Sequence, residues 1–140
     1  MGLDNGITLK TKYPIDVEDW EIKPDYVVFP FDAQKRKDGW YEYDICYWRK
    51  CWDVRGAIID ILDVPQEGGI YEIDKPSQVK KIREALIDFL RHPERWEQSI
   101  WSMDEYMECL AQQIVNLGWL HKYMKEHKGE PMKVEFYDSY

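Results

Sequence analysis

Long apolar runs are missing from this sequence. No stretch approaches the roughly 20 consecutive apolar residues that a membrane-spanning helix needs, so no segment is expected to cross a bilayer. Residues 1–10 hold no basic segment followed by an apolar run and no small-residue cleavage site, and a signal peptide is not expected there. Cysteine is sparse: Cys46, Cys51 and Cys109 are odd in number and widely spaced, which disfavours a disulfide framework and suits reduced thiols in the cytoplasm. Basic residues are outnumbered, 19 against 27 acidic, and the resulting net charge of -8 argues against a protein whose main work is wrapping a nucleic-acid backbone or lying on anionic lipid.

Motifs of catalysis are lacking as well. His92, His121 and His127 form no C-x-x-C, H-x-x-x-H or H-E-x-x-H arrangement with the cysteines or with each other, and zinc is not expected. Gly68-Gly69 is an isolated turn, with no G-x-G-x-x-G or G-x-x-x-x-G-K-S/T loop around it. Cys109 and His121 are twelve residues apart, too far for a nucleophile–base contact within one straight helix, so Cys109 reads as a small packing residue. Glu105 and Glu108 share a helix face, but no second segment supplies matching His or carboxylates. The expectation is a protein with no cofactor, no metal and no enzymatic role.

What the sequence has in abundance is large rings: seven Trp, ten Tyr and four Phe in 140 residues. That inventory excludes a disordered chain and provides one core, with no linker, repeat or low-complexity tract to divide residues 1–140 into two domains. Residues 7–12 alternate as a strand, 26–29 form a second short β-branched and aromatic run, and the acidic stretch 13–23 reads as a loop pinned by Trp20. Residues 32–39, with the Lys35-Arg36-Lys37 triplet and Asp38-Gly39, look like an exposed hairpin connection into a strand over 40–48. Strict alternation in that strand puts Tyr41, Tyr43, Ile45 and Tyr47 on the core side and Trp40, Glu42, Asp44, Cys46 and Trp48 on the other.

The period then changes to that of a helix. Apolar residues spaced three and four apart predict a helix over 49–63, a short strand over 70–73, and a helix with the stripe Val79, Ile82, Leu86, Phe89 and Leu90, N-capped by Ser77 and ended at His92-Pro93. Residues 94–100 suggest a helical turn carrying Trp96. Ser102 with Glu105 three residues on has the spacing of a capping box, and a long stripe through Met103, Met107, Leu110, Ile114, Leu117 and Met124 follows, with Tyr106 beside it. Gly118 marks either a close helix crossing or a break, basic residues and Gly129 end the helix, and residues 133–137 close the chain as a strand. The fold expected is α+β: one domain, a small mainly antiparallel sheet covered on one face by two or three helices.

Four segments, taken in order, resemble a family of small uncharacterised phage and prophage proteins: the opening Met1-Gly2-Leu3-Asp4, the mid-chain Tyr47-Trp48-Arg49-Lys50, the Asp104-Glu105-Tyr106 helix start, and the tail Phe136-Tyr137-Asp138-Ser139-Tyr140. This chain departs from the family pattern at Asn5-Gly6-Ile7, where Met-Tyr-Leu is usual, and at Cys51-Trp52-Asp53, where Ala-Asn follows the Lys; residues 98–101 also lack a glycine and phenylalanine run. The resemblance implies a divergent relative working in a bacterial cytoplasm, and it implies no catalytic residue.

Two kinds of binding remain. The leading one is stoichiometric attachment to a host or phage protein, inhibition of a host defence protein among the forms it would take, through aromatic anchors in an acidic rim. The alternative is a small molecule or nucleotide held in an aromatic and cationic pocket. Trp48, Arg49, Lys50 and Trp52 are the central candidate cluster, with Trp40, Glu105 and Tyr106 as further candidates. Trp48 is expected to be largely buried while Arg49 or Lys50 reaches a carboxylate, Glu42 or Asp44 being available on the Trp48 side. Nucleic-acid binding by Lys35-Arg36-Lys37 near Trp40 is disfavoured by the acidic surroundings, and an exposed edge strand leaves dimerisation open.

Overall fold

The computed structural model describes residues 4–15, 34–35, 38–95 and 102–139. The chain runs β1 (Asp4–Thr11), β2 (Gln34–Lys35), β3 (Tyr41–Arg49), α1 (Trp52–Leu62), β4 (Gly69–Glu72), α2 (Pro76–Arg91), a 3-10 turn (Pro93–Arg95), α3 (Met103–Glu126) and β5 (Met132–Ser139). The strands form one antiparallel sheet in the order β2-β3-β1-β5-β4. Helices cover one face, as the α+β expectation had it. The predicted strand at 26–29, the loop around Trp20 and the turn residue Trp96 lie outside the described residues. The strand that pairs with β3 is Gln34–Lys35, so Lys35 belongs to a ladder rather than to the hairpin connection.

β1 holds the centre of the sheet, and Ile7 and Leu9 are fully buried beneath the helices. Their ladder neighbours complete the helix-facing side: Leu9 lies between Tyr43 and Val134, Ile7 between Cys46 and Phe136, Asn5 between Trp48 and Asp138. The register of β3 slips by one between Ile7 and Thr8. This bulge corrects the alternation read from the sequence. With Ile45 as the extra residue, Tyr43 and Ile45 face the core before it, while Cys46 and Trp48 face the core after it, and Tyr47 turns outward at 45% exposure.

The helices form where apolar residues recur at helical spacing, with local corrections. α1 starts at Trp52, not at residue 49, because Arg49 still belongs to β3 and Lys50 takes a left-handed turn (φ 55°) before the N-cap Cys51. The N-cap of α2 is Lys75 rather than Ser77: Pro76 occupies the first turn, where its missing N–H costs nothing, and the Gln78 side chain accepts from the Lys75 N–H at 3.1 Å. α3 starts where the capping-box spacing put it, with Ser102 Oγ accepting from the Glu105 N–H at 3.2 Å. Its first turn is rotated from the predicted stripe: Tyr106 is buried, while Met103 is exposed and Met107 half-buried. Gly118 leaves the helix unbroken and marks a close crossing with α2, where Arg83 Nε donates to the Ile114 carbonyl at 3.0 Å and lies 3.2 Å from where a Cβ on Gly118 would stand. None of the described helices is long and apolar enough to cross a membrane.

Candidate functional site

The structure disperses the candidate cluster. Trp48 is fully buried in the core, and its indole Nε1 has no hydrogen-bond partner. Arg49 is exposed at the end of β3, Lys50 sits half-buried in the turn, and Trp52 is 45% exposed at the start of α1 with the Arg55 guanidinium 5.7 Å from its ring. Trp40 lies just before the other end of β3, where the ammonium groups of Lys12 and Lys133 stand 4.2 and 4.9 Å from its ring centre. Glu105 is exposed and serves the α3 cap through its backbone, whereas Tyr106 is 1% exposed with its hydroxyl unpartnered.

The expected carboxylate partner for Arg49 or Lys50 is not found: neither forms an ion pair among the described residues, and the bulge puts Glu42 and Asp44 on the face opposite Trp48. The ion pair at this end of the sheet belongs to Arg55 instead. Its Nε and Nη2 donate to the two oxygens of Asp138 at 2.8 and 2.9 Å, and the Asn5 amide adds a bond of 2.5 Å to the same carboxylate. Arg55, Asp138 and Asn5 are all buried, so this group ties α1 to the two central strands from inside.

The thiols, read as widely spaced in the sequence, are neighbours in space. Cys46, Cys51 and Cys109 form no disulfide among the described residues, and they come from β3, the turn after it and α3. Burial and then the nearby Cys51 push the Cys109 thiol up to about 12, and burial and then Cys109 raise that of Cys46. Burial, then Cys51, Asp53 and Cys109, also raise the Tyr106 hydroxyl. Thiols held protonated in this way are poor nucleophiles. Among the described residues, no group of His, Cys, Asp and Glu is placed to hold a metal ion.

The face of the sheet turned away from the helices carries the organised surface. Tyr47, Gly6, Tyr137 and Ile70 form one row across four strands. Gly6 is required there, because a Cβ at its position would penetrate the Tyr137 ring that lies over it. At the β4 end of the row Ile70 is 67% exposed, and at the other end the Tyr47 hydroxyl donates to Asp4 at 2.7 Å. The next row holds Asp44, Thr8 and Glu135, with Glu42 and Lys10 beyond it. Between the rows is a shallow hollow of about 350 Å³.

Its electrostatics are lopsided. Lys10 pairs with Glu135 at 2.5 Å, but Asp44 has no ion pair among the described residues, and burial together with Glu42 raises its carboxyl above the ordinary range. Burial, then Asp44, Tyr47, Asp4 and Glu42, push the Tyr137 hydroxyl up to about 12. An aromatic strip thus lies beside an under-neutralised acidic one. Sequence reasoning missed this surface because strict alternation placed Tyr47 in the core. The available signal was the alternation of residues 133–137, which puts Glu135 and Tyr137 together on the side opposite Val134 and Phe136.

Comparison of the chain with protein-family models, with curated proteins and with solved structures gives no match.

Proposed function

We propose that this protein is a non-enzymatic phage or prophage accessory protein that acts by stoichiometric binding to a basic surface of a host or phage protein, inhibition of a host defence protein being the effect in view. The observation that carries the reading is the row of Tyr47, Tyr137 and Ile70, exposed at its two ends and half-buried at Tyr137, beside the acids Asp44, Glu135 and Glu42. Rings and an aliphatic side chain at the centre of a patch provide the anchors that dominate binding energy, and tyrosine faces also attract Lys and Arg. The Asp44 carboxylate, with no ion pair among the described residues, speeds encounter with a basic partner and makes its rate fall with salt. The phage context rests on the resemblance of the four segments described above.

The test is affinity capture of the tagged protein from infected or lysogenic cells, in parallel with the Asp44→Lys and Ile70→Ala variants. Both positions are exposed, so these variants fold. The expected result is one stoichiometric basic partner, held at low salt, weakened at high salt and lost from both variants. A partner retained by both variants, or no partner at all, overturns the reading.

A further inference from the structure

A second hollow lies elsewhere, on the helix side of the sheet edge. It measures about 610 Å³, within the range of small-molecule sites, and is bounded by the β4–α2 link, the last turns of α3 and the head of β5. Its floor is apolar, built from Ile73, Met124 and Val134, which are themselves buried. Its walls differ in sign. Lys80 from α2 and Lys125 and Lys128 from the end of α3 line the helix side, and none of the three forms an ion pair among the described residues. Glu72 and Asp74 line the side of the β4–α2 link, and Glu130 stands where the chain turns into β5.

We propose that this hollow binds a guanine mononucleotide, its phosphate on the lysines of the helix wall and its base on the apolar floor with the N–H edge toward Glu72 and Asp74. The charges on the two walls decide the class. A bare polyanion meets as many carboxylates as lysines, whereas a ligand anionic at one end and rich in N–H donors at the other meets its complement on both sides. Guanine fits better than adenine, because its adjacent N1–H and N2–H donors match the two oxygens of one carboxylate. The dipole of α3 accounts for Lys125 near a helix C-terminus, but Lys80, in the early part of α2, has no such reason to be there. His121, also lining the hollow, reports the local field: its proton affinity is lowered by burial and then by Lys125, Lys80 and Arg83, with no acid offsetting them. This inference is independent of the partner-binding face, which shares none of these lysines.

Isothermal titration calorimetry of the intact protein with guanosine monophosphate, adenosine monophosphate, guanosine and inorganic phosphate tests it. The expected result is one site for guanosine monophosphate, with each of the other three about tenfold or more weaker, as loss of a charge-assisted hydrogen bond implies. The double variant Lys80→Ala/Lys125→Ala, both positions exposed, should weaken guanosine monophosphate at least as much, while Lys133→Ala on β5, outside the hollow, leaves it unchanged. The proposal falls if guanosine monophosphate gives no binding heat, if the double variant binds it as well as the parent does, or if inorganic phosphate or adenosine monophosphate binds as tightly.

Discussion

Asp138 is a carboxylate that has left water, and its cost is met by three donors. A bidentate guanidinium fixes both oxygens, and the Asn5 amide takes a further lone pair on one of them. Removing Arg55 or Asp138 leaves its partner charged and buried, so Asp138→Ala and Arg55→Ala should each lower unfolding stability by about 3–5 kcal/mol, with the double variant costing less than the sum. Arg49→Ala, at an exposed cation with no ion pair among the described residues, should stay within about 0.5 kcal/mol of the parent. Urea denaturation midpoints for the four variants against the parent check both statements; equal losses at Arg49 and Arg55 would refute the assignment. The sequence could suggest that a cation near the end of β3 finds an acid, but not which one. Arg55 and Asp138 lie 83 positions apart, and only the pairing of β1 with both β3 and β5 brings them together.

Elements were legible where a local period persists and illegible where one residue breaks it. The stripes of α2 and α3 announce themselves because each helix buries one face, and the cap of α3 is written in Ser102 and Glu105. Replacing Ser102 by Ala should cost about 1 kcal/mol and speed hydrogen exchange in the first turn of α3, leaving the amides around Leu117 protected. Uniform exchange along the helix would argue against a cap of that weight. In β3 the bulge moves Trp48 and Cys46 to the core side and Tyr47 to the outside, reversing the assignment for half the strand. An inserted residue leaves no mark in a run where both parities are aromatic. The candidate residues were hard to sort for the same reason: rings suited to binding and rings suited to packing look alike until register is known. Trp48 is buried, as expected of it, and Tyr106 is a core residue too, whereas Tyr137, named in the sequence only as part of the tail, lies on the open face.

At the scale of the molecule, the buried hydroxyl and thiol groups set a direction for pH dependence. Cys46, Cys109, Tyr106 and Tyr137 all hold their protons more tightly folded than their ordinary values of 9 or 10 allow. Above pH 9 the unfolded chain releases these protons while the folded one keeps them, so the folded state binds more protons and stability falls as pH rises. The contribution is complete below pH 9 and is lost progressively toward pH 12, the region to which Cys109 and Tyr137 are shifted. Urea midpoints should therefore decline from pH 9 upward, and less steeply in Cys109→Ala; a midpoint that holds level to pH 12 would contradict the burial of these groups.

β1 is made first and β5 last, yet they are partners along their whole length, Asp4 opposite Ser139 and Thr11 opposite Met132. On a ribosome, β1 waits through the synthesis of β2, β3, β4 and the three described α-helices before its second neighbour exists. Until then Ile7 and Leu9 have only β3 beside them and lack Val134 and Phe136, and Arg55 has no Asp138 to meet. Such a sheet closes from the outside in time, though from the middle in space. Nascent chains stalled before β5 clears the exit tunnel should stay protease-sensitive through β1.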